Sequence, residues 1–537
     1  MAKKPLTVTV ITDTHYYSKK LGTEGKAYEK GNSKSQLLLE RAEEVLKAAF
    51  EQIKKDDRTD IVLLSGDTTT NGDFDSHKEF IEMLRDLKNS GKRVYVLTAT
   101  HDFQDNGKTH AYRGDEKIEV PAAKREDLYE MYREFGPDQA DSVHMPSMSY
   151  SIKLQDGYRL LAINDDKNLS GKSGVSDECF EWIKSEVEKA RANGEFVIAM
   201  THHPLIAPSP IYGLIGKNDM FGDFDVRREQ FADLGMQFMF TGHTHIHSID
   251  KITSKRGNTF YTIATASPIG YPGTIRTVTV DEDGGKVSTT TDFITEKPDF
   301  DMQGKDMQEY LKYQLAGMIK DMVKAAAGDT ETFANMVTAM SIKKKVIYKF
   351  GWLIKPVAKL LNKITIGTVA KWTKKETGLK KEDYADIKND SAVDFIIDMV
   401  LNLYGGENLY NPEDPQYKIA MGLISIFDSI LSVLHINLKK LLKVDSLYDF
   451  AEPLIHNRGI NAYDVDLPIM PFYGEGEQGE VPEEEKPEHT VKSNKGLPII
   501  IVSVLLLIIF LIPLALVLLI GFIVNQIKYG KKMKIDE

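Results

Sequence analysis

Five short blocks of histidine and aspartate, each set directly after a short apolar run of β-forming residues, constrain this chain more than any other feature of its 537 residues. Leu6 to Ile11 leads into Asp13-Thr14-His15, and Ile61 to Leu64 leads into Gly66-Asp67, with Gly72 closing the turn beyond. Val94 to Leu97 precedes His101-Asp102, Phe196 to Met200 precedes His202-His203-Pro204, and Phe238 to Phe240 precedes Gly242-His243-Thr244-His245. Amphipathic helical stretches lie between the runs, at Leu37 to Lys54, Phe80 to Lys88 and Phe180 to Ala192. Alternating strands and helices make an α/β layout, in which chemistry gathers on the loops leaving the carboxyl ends of strands. Later runs, Ser149 to Leu154, Tyr158 to Ile163, Phe260 to Ala264 and Thr274 to Val280, lie between Asp-Gly and Asn-containing turns and predict a second, partly antiparallel sheet.

Of the 13 histidines, seven (His15, His101, His202, His203, His243, His245 and, two residues past the last block, His247) sit in or beside these blocks, a placement that scattered structural histidines would not produce. Two divalent cations held a few ångströms apart need oxygen and imidazole donors and one carboxylate able to bridge them. Asp13, His15, Asp67, His202, His243 and His245 make such a set.

The blocks resemble those of the calcineurin-like metallophosphoesterase superfamily, whose pattern is Asp-x-His, Gly-Asp, Gly-Asn-His-Asp or Glu, a His, and Gly-His-x-His; the likeness spans roughly Leu6 to Phe293. It implies an α/β four-layer sandwich of two mixed β-sheets flanked by helices, with two metal ions (manganese, iron or zinc) at one end. Carried over by position, Asp13, His15 and His245 would hold one ion, Asp67 would bridge, and His202 and His243 would hold the other. His101 would face the phosphate, with Asp102 orienting it. Where the family has Gly-Asn, this chain has Ala99-Thr100, so a hydroxyl replaces the amide oxygen at the second ion, and the turn must avoid a positive φ at Ala99. His203 and His247 are extra histidines, placed either to brace the ligands from behind, to contact substrate, or simply on the surface.

The activity implied is hydrolysis of a phosphoester by a hydroxide held between two cations, with His101 assisting the leaving oxygen. A phosphodiester substrate is slightly favoured; the alternatives are a phosphomonoesterase, such as a nucleotidase or protein phosphatase, or a non-catalytic scaffold on a degenerate phosphoesterase fold. The formal net charge of −11 opposes a nucleic-acid partner, which would call for a basic surface. Cys179 is the sole cysteine, which excludes an intrachain disulfide and a thiolate-rich zinc site.

Domain limits follow from composition: a catalytic domain over 1–298, a helical region over 299–467, an acidic flexible linker over 468–496, a transmembrane helix over 497–524 and a basic tail over 525–537. The 497–524 run is apolar apart from Ser503, Pro513 and Gly521. Within the helical region, 343–381 is dense in lysine and carries Trp352 and Trp372. Two readings stand side by side there, contact with anionic lipid or a helical subdomain with a solvated lysine face. With no secretory signal as written, the expectation is a single-pass membrane protein with its catalytic domain in the cytosol.

Overall fold

The computed structural model describes residues 3–482, apart from 33–34, 167–172, 210–211, 213–218, 339–343, 407–409, 434–445 and 457–459. The expected two-sheet sandwich is present. The first sheet runs from edge to edge through Val465–Pro468, Lys286–Phe293, Thr274–Asp281, Leu6–Ile11, Ile61–Ser65 and Arg93–Leu97. The second runs through Ser248–Thr253, Thr259–Ala264, Phe238–Thr241, Phe196–Met200, Tyr158–Ala162, Ser149–Gln155 and Ser142–His144. Leu6–Ile11, Ile61–Ser65 and Arg93–Leu97 are parallel neighbours. Phe196–Met200 and Phe238–Thr241 are parallel in the other sheet.

Alternation along the central strands explains why both faces of each sheet are apolar. Leu63 and Tyr95 belong to the core between the sheets with Leu160, Ile198, Phe238 and Phe240. Their neighbours Val62, Leu64 and Val96 pack the other way, with Val45, Leu46 and Phe50 of helix Ala42–Lys55 and Phe80 and Leu84 of helix Phe74–Asn89. On the far side Val197 and Ala199 join Ile183 and Val187 of helix Asp177–Ala192. Each buried Val, Leu, Ile or Phe among them contributes about 1.5–3 kcal/mol. Helix starts are written locally: Asp73 accepts from the Ser76 N–H and Ser176 from the Cys179 N–H, so both helices begin behind a capping side chain.

One strand lies elsewhere than its neighbours in sequence imply. Thr274–Asp281 pairs antiparallel with Leu6–Ile11 in the first sheet, Leu6 facing Val280, and does not join the late runs of the second. That pairing brings the end of the catalytic region back beside its beginning.

Between Met307 and Ile455 the described residues are mainly helical. Met307–Gly328 opens with a capping box of Asp306 and Glu309, and Lys344–Leu361, Ala392–Gly405, Pro415–Val433 and Leu447–Ile455 follow. Helix Lys344–Leu361 buries Ile347, Ile354 and Ala358 in the main core, so its apolar side packs against protein while Trp352 stays exposed. The solvated lysine face is thus the reading that the described residues of 343–381 fit, and lipid contact gains no support from them. The expected transmembrane helix is corrected: no helix among the described residues is long and apolar enough to cross a membrane, and both 497–524 and the basic tail 525–537 lie outside those residues.

The start of the acidic segment is held in place. Val465–Pro468 forms the edge strand beside Lys286–Phe293. Beyond it the Met470 N–H donates to Gln237 Oε1 at 2.9 Å, the Tyr473 N–H to Asn258 Oδ1 at 2.8 Å and the Gly479 N–H to the Arg256 carbonyl at 2.9 Å. Phe472 lies 4.3 Å beneath the Arg191 guanidinium. The rest of that segment, 483–496, is outside the described residues.

Candidate metal centre

Each of the five blocks leaves the carboxyl end of a parallel strand, and the turns that follow are conformationally unusual. Asp13, His15, Asp67, His243 and His245 all adopt positive φ, between 40° and 69°. For residues with a Cβ this conformation costs of order 1–3 kcal/mol each and persists only where the surroundings impose it. Ala99 is not among the residues with positive φ, as its side chain requires. Two glycines let the turns close on one another. A Cβ on Gly66 would sit 2.5 Å from His202 Nδ1, and one on Gly242 would sit 2.3 Å from Asp13 Oδ2.

The six expected donors converge as two buried triads, Asp13 with His15 and His245, and Asp67 with His202 and His243. In the first, His15 Nε2 lies 3.1 Å from His245 Nε2, and these nitrogens are 3.7 and 3.4 Å from Asp13 Oδ1. In the second, His202 Nε2 lies 3.0 Å from Asp67 Oδ2 and 3.2 Å from His243 Nδ1. Asp67 Oδ2 is also 3.8 Å from His15 Nε2, so this one carboxylate reaches both triads.

These residues fit a pair of divalent cations. With metal–nitrogen bonds of about 2.0–2.1 Å, two nitrogens on one tetrahedral ion sit roughly 3.3 Å apart, close to the spacings here. His202 donates its Nδ1–H to the Ser65 carbonyl at 2.9 Å, which leaves Nε2 as the donor atom facing Asp67. His15 Nδ1 and His243 Nε2 are buried without a hydrogen-bond partner.

Electrostatics point the same way. Burial would raise the Asp13 carboxyl, but His245, His15 and His202 hold it well below the usual carboxylate range. Burial acts likewise on Asp67, and His202 and His101 outweigh it, again driving the group far down. His15 is pulled to about 4 by burial, against the opposing pull of Asp13. Burial also opposes charge on His202, yet Asp67, Asp13 and Asp165 carry it up to about 10. His243 is pushed well down by burial and by His203 and His202. Two fully buried carboxylates held in the ionised form thus share the site with His15 and His243, both pushed toward the neutral form, an imbalance that bound cations would neutralise.

The remaining expected residues divide. The His101 N–H donates to Asp67 Oδ1 at 2.9 Å, its Nδ1 bonds the Thr70 carbonyl at 2.8 Å, and its ring stands edge-on to His15 with centroids 4.8 Å apart. Asp102 does not do what the sequence led us to expect. Its carboxylate accepts from the Thr68 and Thr69 N–H groups, both their hydroxyls and the Ala99 N–H, so it pins the Asp67 turn to the Ala99 turn, while the Thr70 carbonyl orients His101. The Thr100 hydroxyl oxygen is enclosed and without a hydrogen-bond partner. His203 lies inside the site: its ring is 4.0 Å from that of His243, and its Nδ1 bonds Asp165 Oδ2 at 2.9 Å.

His247 is elsewhere, and a substrate contact there is corrected. Its ring nitrogens bond Thr274, Thr291 and the buried Arg276, and its N–H donates to the Tyr404 carbonyl at 2.9 Å. It is a strut between the first sheet and the helical region. Burial and the Arg276 charge push it well below the usual histidine range.

Several contributors carry no motif. Asp165 accepts from the N–H groups of His202 and His203 at 3.3 and 3.2 Å. Thr12 donates to Asp13 Oδ2 at 2.9 Å and Ser267 to the Asp13 carbonyl at 2.7 Å. Gln36 meets His245 Nδ1 at 2.6 Å. Only Thr12, beside Asp13, had any sequence signal.

Comparison with known proteins gives a family match and distant structural likenesses. The family model described as calcineurin-like phosphoesterase matches residues 6–247. A dimetal phosphatase from Danio rerio is similar at 12% identity, with 55% of this chain and 98% of that one covered and a TM-score of 0.39. A purple acid phosphatase from yellow lupin (Lupinus luteus) seeds is similar at 12% identity, with 55% of this chain and 53% of that one covered and a TM-score of 0.33. A search of the curated proteins returns no match.

Proposed function

We propose, from the match of residues 6–247 to the calcineurin-like phosphoesterase family model and the site described above, that this domain is a phosphoester hydrolase that cleaves phosphodiesters at a two-cation centre. The observation that carries the reading is the meeting of two acid–imidazole triads at the Asp67 carboxylate. Asp13, His15 and His245 would hold one divalent cation and Asp67, His202 and His243 the other, with the Thr100 hydroxyl as a neutral neighbour of the second. When bound, such a pair supplies Lewis-acid neutralisation of phosphoryl charge and a water acidic enough to react near pH 7.

The chain's own groups do the rest. His101 gives its Nδ1–H to the Thr70 carbonyl, so in its doubly protonated form it can donate a hydrogen bond or proton from the other ring nitrogen to the leaving oxygen. His203, held by Asp165, contacts a non-bridging phosphoryl oxygen. Among the described residues, the side chains around the triads are imidazoles, hydroxyls, an amide and carboxylates. A dianionic monoester calls for arginine or lysine at its extra charge, so this lining favours the singly charged diester.

The test is metal quantification on the purified protein, followed by turnover of bis(4-nitrophenyl) phosphate and 4-nitrophenyl phosphate with added manganese. A higher kcat/KM for the diester is expected. Faster monoester turnover would replace the diester reading with a monoesterase. Less than one equivalent of metal with no turnover of either would leave the scaffold reading, which Thr100 in place of asparagine motivates.

A further inference from the structure

The third donor of the first triad is backed by a residue outside every motif. His245 Nε2 faces His15 Nε2 at 3.1 Å and Asp13 Oδ1 at 3.4 Å, so this nitrogen is the one available to a cation. Its other nitrogen, Nδ1, lies 2.6 Å from the side-chain amide of Gln36. Gln36 is only 5% exposed, and its Oε1 is buried without a hydrogen-bond partner.

The segment carrying Gln36 is fixed to the same wall as the triad. Leu37 bridges Gly270, and the Leu38 N–H donates to the Ile269 carbonyl at 2.8 Å. Slightly earlier on that wall Ser267 donates to the Asp13 carbonyl. The amide therefore has little freedom to translate away from His245, but it can turn about its own axis.

We infer that Gln36 is a positioning residue for the first cation, a two-way hydrogen-bond partner that sets the tautomer of His245. With the ring proton on Nε2, directed at Asp13, Nδ1 accepts from the Gln36 NH2 group, which is the amide orientation seen here. When Nε2 binds a cation, the ring proton resides on Nδ1 and needs an acceptor. A half-turn of the amide brings Oε1 to that place. Carboxamide nitrogen and oxygen are nearly the same size, so the turn exchanges donor for acceptor without repacking. Glutamine serves both states; a carboxylate could only accept, and an apolar side chain could do neither.

This inference rests on the two-cation reading, and the experiment separates them. Wild-type stoichiometry, from zinc titration of metal-free protein, tests the reading itself. The ratio of variant to wild-type affinity tests Gln36. Gln36→Met and Gln36→Leu, which lack an oxygen acceptor, are expected to weaken one of the two zinc sites about 10- to 100-fold, the usual loss when a partner behind a metal-bound histidine is removed. Gln36→Glu, which keeps the acceptor, should stay within a few-fold of wild type. In the zinc-loaded protein the His245 Nδ1–H proton should be visible by NMR in wild type and Gln36→Glu, and lost to exchange in the apolar variants. Urea midpoints of the metal-free proteins identify which apolar variant retains the fold. Unchanged affinity in the folded apolar variant would overturn the proposal, and so would an equal loss in Gln36→Glu.

Discussion

The two triads are chemically alike, one carboxylate and two imidazoles each, yet they are braced in different ways. Around Asp13, His15 and His245 the braces are side chains from several elements: Thr12 bonds the carboxylate, Ser267 the backbone behind it, and Gln36 the far nitrogen of His245. Around Asp67, His202 and His243 the donor atoms themselves meet backbone, the Ser65 carbonyl behind His202 and the His101 N–H on Asp67, while the Asp102 and Asp165 carboxylates hold the turns that carry them. Thr100, which stands where the resembled pattern puts the asparagine of the second ion, has a hydroxyl without a hydrogen-bond partner. One half of a two-ion centre can thus keep every donor of the resembled pattern while the other has a hydroxyl in place of an amide. The two cations are then expected to bind with unequal affinity.

Asp67→Asn should do the most damage, because the side chain it alters belongs to both halves. Loss of several kcal/mol of transition-state stabilisation corresponds to a fall of about 1,000-fold in rate, read as kcat on the diester with metal content measured in parallel. Near wild-type turnover would dissolve the comparison, since the halves would then work without a shared carboxylate.

His101→Ala comes next. His101 touches both halves, through its N–H on Asp67 and its ring edge on His15, without belonging to either triad. Removing the imidazole should lower kcat about 100-fold, the lower end of what a positioned acid contributes, while both metal equivalents remain. Loss of a metal equivalent would move His101 into one of the halves.

How much of this the sequence discloses follows a division between local and distant causes. The six donors are legible because each lies within a few residues of the strand that presents it. Asp102 misleads because its adjacency to His101 stands in for contact, whereas its carboxylate faces a turn well earlier in the chain, at Thr68 and Thr69. His247 misleads in the same way. It follows the last motif closely enough to look like part of it, yet its ring turns away to Arg276 and Thr291. The residues after 468 read as a tether by composition, and hydrogen bonds to Gln237 and Asn258 hold them, which no composition reports. Gln36 lies 209 positions from the histidine it meets, and no local pattern could have joined them.

Thr100→Asn should change the least and bears most directly on the inequality of the halves. An amide oxygen is a better neutral donor to a divalent cation than a hydroxyl, and the enclosed Thr100 oxygen has no hydrogen bond to lose on replacement. The variant should tighten the weaker site about 10-fold, roughly 1.4 kcal/mol, and leave the tighter one unchanged, as read by metal retention against increasing chelator. Asparagine is the larger side chain, so a fall in thermal midpoint with no gain in retention would mean that the pocket is shaped for threonine. In that case the second half is complete as it stands, with a water or a backbone oxygen filling the place that the family gives to asparagine, and the predicted gap between the two affinities closes.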